Sequence, residues 1–502
     1  MIRTVPHLSA DMAGVQYLLP DGFDADALAA ELRLERGRTR SAERTFYDTF
    51  DGRLHAAGLA LLHEHGRLAL VDAVGYEERA GEDRAHAPDR LLAIEMDDGP
   101  LRAGLEPLVE MRALTPIARI RSRLRPLRVL NDDAKTVVRL VVEAPVVGNG
   151  RRLRPRLHVA PVRGYHDELA DVERRLENGL GVSRAELPVH EDAVAASGGT
   201  PGGVSSKPSV SVSAEQPAAA AATLLFADLL RVIEANVPGT LADVDSEFLH
   251  DLRVGVRRTR SLQRQLAAEL PPELARFRTE FKRLQQITGA ARDLDVYVLD
   301  FDAFRATAGP DLEPLRGLLE QQRAREHARM ARALRSARTR RLLSDWAAFV
   351  AGLEGGRPIG DVASERIGKV YRRMVKAGRA IDDTSEPEAL HDLRKTGKEL
   401  RYLLEFFAGL YPGKVVKPMV KTLKALQDTL GRFQDREVQA DRLRAMREDV
   451  VKLDDGAAAL MAMGLLVEHL ERDQAAARAQ FAERFAAFAG KEQRALVRKT
   501  FA

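Results

Sequence analysis

The sequence predicts an antiparallel α+β domain, barrel-like or strongly curved, followed by an all-α domain built from two similar helical bundles related by a pseudo-twofold axis. Three observations carry this. Residues 193–222 (AVAASGGTPGGVSSKPSVSVSAEQPAAAAA) hold almost no large apolar side chains, and such a composition cannot bury enough surface to offset its ordering entropy. Before that stretch the apolar residues alternate with period two, and after it they recur with helical spacing almost throughout. At 502 residues the chain also exceeds what one compact core usually holds. The expected organisation is a first domain over 1–192, a flexible linker over 193–222 and a helical domain over 223–502, with halves at about 223–360 and 361–502.

In the first domain, Leu28–Leu34 fits a short helix. Arg44–Asp48, Leu68–Val74, Leu91–Met96, Val137–Glu143 and Arg156–Val162 read as strands separated by turns, and Tyr165–Leu180 returns to helical spacing. In the second, helical patterns cover Thr223–Asn236, Ser246–Glu269, Pro272–Gly289, Arg292–Thr307, Leu312–Arg335 and Thr339–Leu353. They continue over Val362–Ile381, Pro387–Leu410, Val415–Leu430, Arg436–Glu448, Gly456–Ala489 and Glu492–Phe501. Gly and Pro fall mainly at the breaks.

Composition narrows the function classes. With 45% hydrophobic and 30% charged residues the chain is globular. No apolar run reaches the roughly 18 residues of a membrane helix, and the N-terminus has no apolar export core, so a cytoplasmic protein is expected. The chain has no cysteine, which excludes disulfides, zinc fingers, iron–sulfur clusters and thiol nucleophiles. Phosphate-loop, HExxH and GxSxG signatures are missing. We expect no metal, no cofactor and no catalytic residues. The net charge of +4 hides a split, with −4 over residues 1–223 and +8 over 224–502. An anionic partner is therefore sought in the second half.

That half carries an internal duplication. Leu249–Arg253 (LHDLR) recurs 141 residues later as Leu390–Arg394, with Arg257, Arg260 and Leu262 answered by Lys398, Arg401 and Leu403. At an offset of 142, Lys282, Leu284, Gln285, Gly289, Asp293 and Val296 are answered by Lys424, Leu426, Gln427, Gly431, Asp435 and Val438. His250, Arg253, Arg257, Arg260 and Arg264 are spaced 3, 4, 3 and 4, one stripe on one helix face, beside a core stripe of Leu249, Leu252 and Val256. His391, Arg394, Lys398 and Arg401 repeat the ladder, and Glu405 answers Arg264. A basic helix face is ordinarily solvated surface. Here it adjoins the core stripe, begins at a histidine and occurs twice. Like charges at these spacings repel by roughly 0.2–0.5 kcal/mol per pair, a cost that a multivalent anion would offset.

These duplicated motifs resemble the CHAD domain, the conserved histidine α-helical domain, over essentially residues 223–502. The resemblance implies two helical bundles around a basic groove that binds inorganic polyphosphate, and localisation to polyphosphate granules. It places His250, Arg253, Arg257, Arg260 and Lys282 on one side of the groove and His391, Arg394, Lys398, Arg401 and Lys424 on the other. Arg264 extends the first ladder, and Arg258, Arg283, Lys395, Lys414, Lys417 and Lys421 are further nearby cations. Polyphosphate is charged at every phosphate and presents no base edges, so distributed Arg and Lys donors suit it, and histidine adds charge as pH falls. Nucleic-acid backbone binding by the same groove is one alternative, although the ladders lack the aromatic residues of single-strand binders, and triphosphate hydrolysis by the first domain is a lesser one.

The first domain is similar to the CYTH, or triphosphate-tunnel, family at Thr45–Leu54 and Ala57–Leu61, and Thr115–Arg121 resembles a basic tunnel strand. The resemblance implies a tunnel with paired metal-binding acids. The stretches corresponding to the two acidic strands are Ala13–Leu19 and Leu157–Val162, neither of which has an acid, and Leu62-His63-Glu64 stands where an Arg-x-Arg is expected. Mg²⁺ and Mn²⁺ need several hard oxygen ligands. The expectation is a degenerate domain without triphosphatase chemistry, whose Arg112, Arg119, Arg121 and Arg123 either bind phosphate or form a solvated strand face.

Overall fold

The computed structural model describes residues 14–20, 23, 26, 28–29, 34–179, 182–206 and 209–501. They form two units, Met1–Ser205 and Ser206–Ala502.

The first unit is one antiparallel sheet. Its strands are β1 (Val15–Leu18), β2 (Glu35–Arg36), β3 (Arg40–Thr49), β4 (Leu59–Glu64), β5 (Arg67–Asp72), β6 (Glu78–Asp83), β7 (Leu114–Leu130), β8 (Thr136–Val147), β9 (Arg156–Pro161) and β10 (Ser183–Arg184). They run in the order β10-β1-β9-β8-β7-β3-β4-β5-β6, with β2 paired to β7. The expected barrel is corrected, because among the described residues β10 and β6 do not pair and the sheet stays open. Its margins explain this: β10 has two residues and β6 is the charged run ERAGED, both poor templates for a further strand. Along β7, Ala118, Ile120, Ser122 and Leu124 are buried while Arg119, Arg121 and Arg123 are exposed. Helices α1 (Arg53–Ala56), α2 (Pro100–Val109), α3 (His166–Gly179) and α4 (Val189–Ala196) complete the unit. Leu91–Met96 is not a strand. Leu91 makes one bridge to Leu114 and Ala93–Glu95 turn as a 3-10 helix, which lets Leu91, Ala93 and Met96 fill the core. The helix expected over Leu28–Leu34 falls largely outside the described residues.

Residues 193–222 are more ordered than their composition suggests. Ala193 and Val194 are buried in α4, and Ala218, Ala219, Ala221 and Ala222 are buried at the start of the next helix. Between them the Val204 amide donates to the Phe50 carbonyl at 3.0 Å. Gly202 has φ +77°, and a Cβ on Gly52 would lie 2.1 Å from the Gly202 carbonyl oxygen. Small residues here permit close backbone packing, which composition alone reads as coil.

The second unit is helical. It comprises α5 (Ala218–Ala242), α6 (Ser246–Gln265), α7 (Leu274–Ile287), α8 (Gly289–Leu299), α9 (Phe301–Ala308), α10 (Glu313–Leu334) and α11 (Ala337–Ala351). It continues with α12 (Ile359–Arg379), α13 (Pro387–Phe407), α14 (Gly413–Ala445), α15 (Arg447–Val450), α16 (Gly456–Ala479), α17 (Phe481–Phe488) and α18 (Lys491–Thr500). The Asp245 carboxylate caps α6, accepting from the Glu247 amide at 2.8 Å and the Phe248 amide at 3.1 Å. Arg292–Thr307 is two helices rather than one. Val415–Leu430 and the start of Arg436–Glu448 fuse into the 33-residue α14, because Leu426, Leu430 and Phe433 carry the apolar stripe past Gly431. The main core joins α5–α7 and α11 to α12–α14 and the C-terminal helices, so it crosses the expected boundary near residue 360. Trp346 sits in this core against Phe226, Phe277 and Phe281. A second core joins α8–α10 to the end of α14 and α16. No helix among the described residues is long and apolar enough to cross a membrane.

Candidate anion-binding cleft

The duplicated helices α6 and α13 lie against each other. Leu249, Leu252, Val256 and Leu262 of α6, and Leu390, Leu393, Leu400 and Leu403 of α13, are buried in the same core. Burying those stripes turns the adjoining basic stripes toward a common cleft of two cavities, about 990 and 1010 Å³. The first cavity takes Arg260 and Arg264 from α6, Lys282 from α7 and Lys395 from α13, with Asp392 and Glu399 as its acids. The second takes His250 and Arg258 from α6 and Arg394 and Arg401 from α13, with Asp300, Glu405, Asp428 and Asp435. Arg257, Lys398 and Tyr402 line both.

The ion pairs across α6 and α13 exchange the two copies of the repeat. Arg258 pairs with Glu405 at 2.7 Å, and Arg264 approaches Glu399 at 3.9 Å. At the 141-residue offset, Arg258 corresponds to Glu399 and Arg264 to Glu405. A similar exchange occurs between α8 and α14: the Tyr297 hydroxyl donates to the carbonyls of Val438 and Gln439 at 3.2 Å, and Gln439 is the counterpart of Tyr297.

Arg257 and Lys398, also counterparts, form no ion pair among the described residues, and Arg257 Nε is buried without a hydrogen-bond partner. Burial, with Arg394, Arg257 and Arg401 beside it, lowers the Lys398 amine to about 8, against the opposing pull of Asp435. Arg260 donates to the neutral Gln285 side chain, and burial together with Arg264 and Arg278 lowers its pKa. This is the electrostatic signature of cations lacking an anion.

Some of the expected cations serve the fold. Arg253 Nη1 donates to the Gln285 carbonyl and the Thr288 hydroxyl, each at 3.0 Å, and lines neither cavity. Burial lowers it to about 10, with Asp293 opposing and Arg257 and Arg292 assisting. A Cβ on Gly289 would lie 3.7 Å from Arg253, and one on Gly431 would lie 3.9 Å from Arg394, so the repeated glycine adjoins the repeated arginine in both copies. Arg394 is further held by Asp435 at 3.0 Å. The His391 ring bonds Gln434, and Arg283 lies 4.0 Å from Glu280. Neither lines the cleft, and nor do the exposed Lys414, Lys417, Lys421 and Lys424. Conversely, Arg278, Arg373, Arg432 and Arg436 line it although the repeated motifs do not mark them. Arg278 stands four residues before Lys282, a spacing that would have identified it. Arg373 lies on α12, outside the repeated motifs, and only tertiary packing brings it to the cleft.

In the first unit, Gln16 of β1 stands on the strand where paired acids were sought. It donates to the Val74 carbonyl at 3.2 Å and accepts from Arg156 at 2.8 Å. The buried Glu143 carboxylate accepts from Arg44 and Ser122 and meets His158 Nε2 at 2.6 Å. Burial would raise it, but Arg44 and His158 hold it well below the usual carboxylate range. Arg112 is buried 3.2 Å from Asp51, and Arg119 is exposed and pairs with Asp89 at 2.9 Å.

A family model described as the CHAD domain matches residues 224–444. An uncharacterized protein of Mycobacterium tuberculosis, represented in two strains, is 28% identical over 217 residues, 39% of this chain and 40% of its own length. The chain therefore matches well under half the length of these curated relatives. The crystal structure of the CHAD domain from the plant Ricinus communis is 25% identical with a TM-score of 0.49, covering 56% of this chain and 95% of that one. PptA from Streptomyces chartreusis is 16% identical with a TM-score of 0.44, covering 54% of this chain and 99% of that one.

Proposed function

We propose that this chain, whose residues 224–444 form a CHAD domain, binds inorganic polyphosphate in the cleft between α6 and α13, without chemistry on it, and acts at polyphosphate granules in the cytoplasm. The observation that carries this reading is the pair Arg257 and Lys398. They are repeat counterparts, they line both cavities, and among the described residues no carboxylate pairs with them. The exchanged pairs Arg258–Glu405 and Arg264–Glu399 support an approximate twofold axis near Ser261 and Tyr402, which would make the cavities successive stations on one anionic chain. Among the described lining residues Tyr402 is the one aromatic, which favours a simple polyanion over a single-stranded nucleic acid that needs stacking platforms. For the first unit, the CYTH-like reading remains our proposal, with Gln16 and the locked Glu143 in place of a free pair of metal-binding acids.

The test is a binding comparison of long polyphosphate, single-stranded nucleic acid and tripolyphosphate, with and without Mg²⁺, across three charge-reversed pairs. Arg257→Glu with Arg260→Glu, and Lys398→Glu with Arg401→Glu, are expected to weaken polyphosphate binding greatly. Arg325→Glu with Arg329→Glu, on the exposed side of α10, changes net charge equally and should matter little. By analogy with single-stranded nucleic acid, the slope of log affinity against log salt should become shallower by roughly 0.7 for each phosphate that is no longer neutralised. Equal weakening in all three variants would reduce the cleft to diffuse charge attraction.

A further inference from the structure

The two cavities correspond at several positions, yet their charges are in different states. Arg260, Ser261, Arg264 and Gln285 of the first answer Arg401, Tyr402, Glu405 and Gln427 of the second. In the second cavity the arginines other than Arg257, which lines both, already have carboxylate partners. Arg258 and Arg401 share Glu405, at 2.7 and 2.8 Å. Arg394 is paired with Asp435, and Arg436 with Asp473 at 2.6 Å. In the first cavity Arg260 meets only the neutral Gln285, and Arg278 and Lys282 form no ion pair among the described residues. The nearest carboxylate to Arg264, Glu399, is 3.9 Å away and is already bonded by Arg373 and Gln265. Two differences between the copies help set this imbalance: Arg264 is answered by Glu405, and Gln286 by Asp428.

An anion entering the second cavity must displace carboxylates from most of its arginines, whereas one entering the first meets Arg260, Arg278 and Lys282, which gain a partner without losing one, beside Lys395 and Arg373 that are already paired with Asp392 and Glu399. A compact, highly charged anion should therefore discriminate between the two. A long chain anchored in the first reaches the second at high effective concentration and tolerates its weakness. We propose that the first cavity is a discrete site for a short condensed phosphate of about the size of tripolyphosphate, and that the second engages only the continuation of a longer chain. This rests on the phosphate reading of the cleft given above.

Calorimetric titration of the full chain with tripolyphosphate, free of divalent cations, is expected to give one equivalent per chain. Arg260→Gln combined with Lys282→Gln should weaken it by about tenfold or more. Glu405→Gln, which releases Arg258 and Arg401, and Asp428→Gln, which brings an amide like that of its counterpart Gln286, should each add or strengthen a second equivalent. Asp428 is exposed, so its variant reads out the second cavity even where loss of the Glu405 pairs disturbs folding. Two equal tripolyphosphate sites on the unaltered chain would overturn the proposal. So would a single site indifferent to Arg260 and Lys282, or the lack of any second equivalent in both second-cavity variants. Binding of long polyphosphate with none of tripolyphosphate rejects the discrete site and leaves the groove reading standing. Binding of neither rejects both.

Discussion

At Lys398 the charge of one amine sets how the cleft responds to pH above about 8. Its pKa is lowered from 10.5 to about 8 by burial and neighbouring guanidiniums, so the empty protein begins to lose this charge near pH 8. A bound phosphate raises the pKa again, and binding therefore takes up a proton above pH 8. Affinity should be full below about pH 8 and fall above it, by up to about tenfold per pH unit until the pKa of the bound state is passed. Lys398→Arg keeps its charge throughout, so the decline should vanish from that window in a pH series of polyphosphate Kd values. An identical decline in the variant would clear Lys398 of the effect. Without ligand the sign reverses for stability. The unfolded chain binds more protons between about 8 and 10.5, so this residue destabilises the fold at neutral pH and is relieved as pH rises through that range. The position of Lys398 was legible from the repeat. Its lack of a partner was not, because which acid reaches which cation is set by tertiary packing: Asp435 goes to Arg394, and Glu405 is shared by Arg401 and by Arg258 of the other copy.

Helix interruptions show what periodicity can and cannot locate. Gly431 reads as a break because interior glycine is unfavourable, by roughly 1 kcal/mol relative to alanine. In α14 the apolar stripe outweighs it, and the same glycine in the first copy, Gly289, does mark a junction between α7 and α8. One motif thus sits in two backbone settings, which sequence spacing does not distinguish. A Cβ on Gly431 would reach only ordinary contact with Arg394 at 3.9 Å, so Gly431→Ala should stabilise the helical unit by up to about 1 kcal/mol. A Cβ on Gly239 in α5 would fall 2.2 Å from the Phe248 ring at the start of α6. Gly239→Ala should destabilise by about 1–3 kcal/mol through overpacking. Urea unfolding of both variants checks the pair, and shifts of the same sign would contradict the packing described. The rest of the helical pattern was readable because the apolar faces of α6 and α13 are regular. The open edge of the sheet was not, since closure depends on whether its outermost strands meet, and alternation is the same in either case.

For the whole molecule, the polar cluster around Glu143 bears on catalysis. Its carboxylate already accepts from Arg44 and Ser122 and meets His158, and β1, on the far side of β9, carries Gln16 rather than an acid. The full chain with Mg²⁺ or Mn²⁺ is expected to release no phosphate from tripolyphosphate or ATP. Turnover that disappears in Glu143→Gln would show the cluster to be a working site. The last expectation follows from where the cores lie. Every cluster of buried apolar residues is confined to one unit: two clusters draw only on residues after 206, and the others only on residues before 205. The cleft is also lined entirely by residues of the second unit, from Ser206 onward. A fragment of residues 206–502 should therefore fold and bind long polyphosphate with a Kd within about threefold of the full chain, since its hydrophobic stabilisation and its cations are its own. Trp346 is the single tryptophan of the chain and is fully buried in the main helical core, so its fluorescence reports the fold of the fragment independently of binding. A fragment with native Trp346 emission but affinity weakened by tenfold or more would place essential phosphate contacts in the first unit. The cleft between α6 and α13 would then be only part of the site.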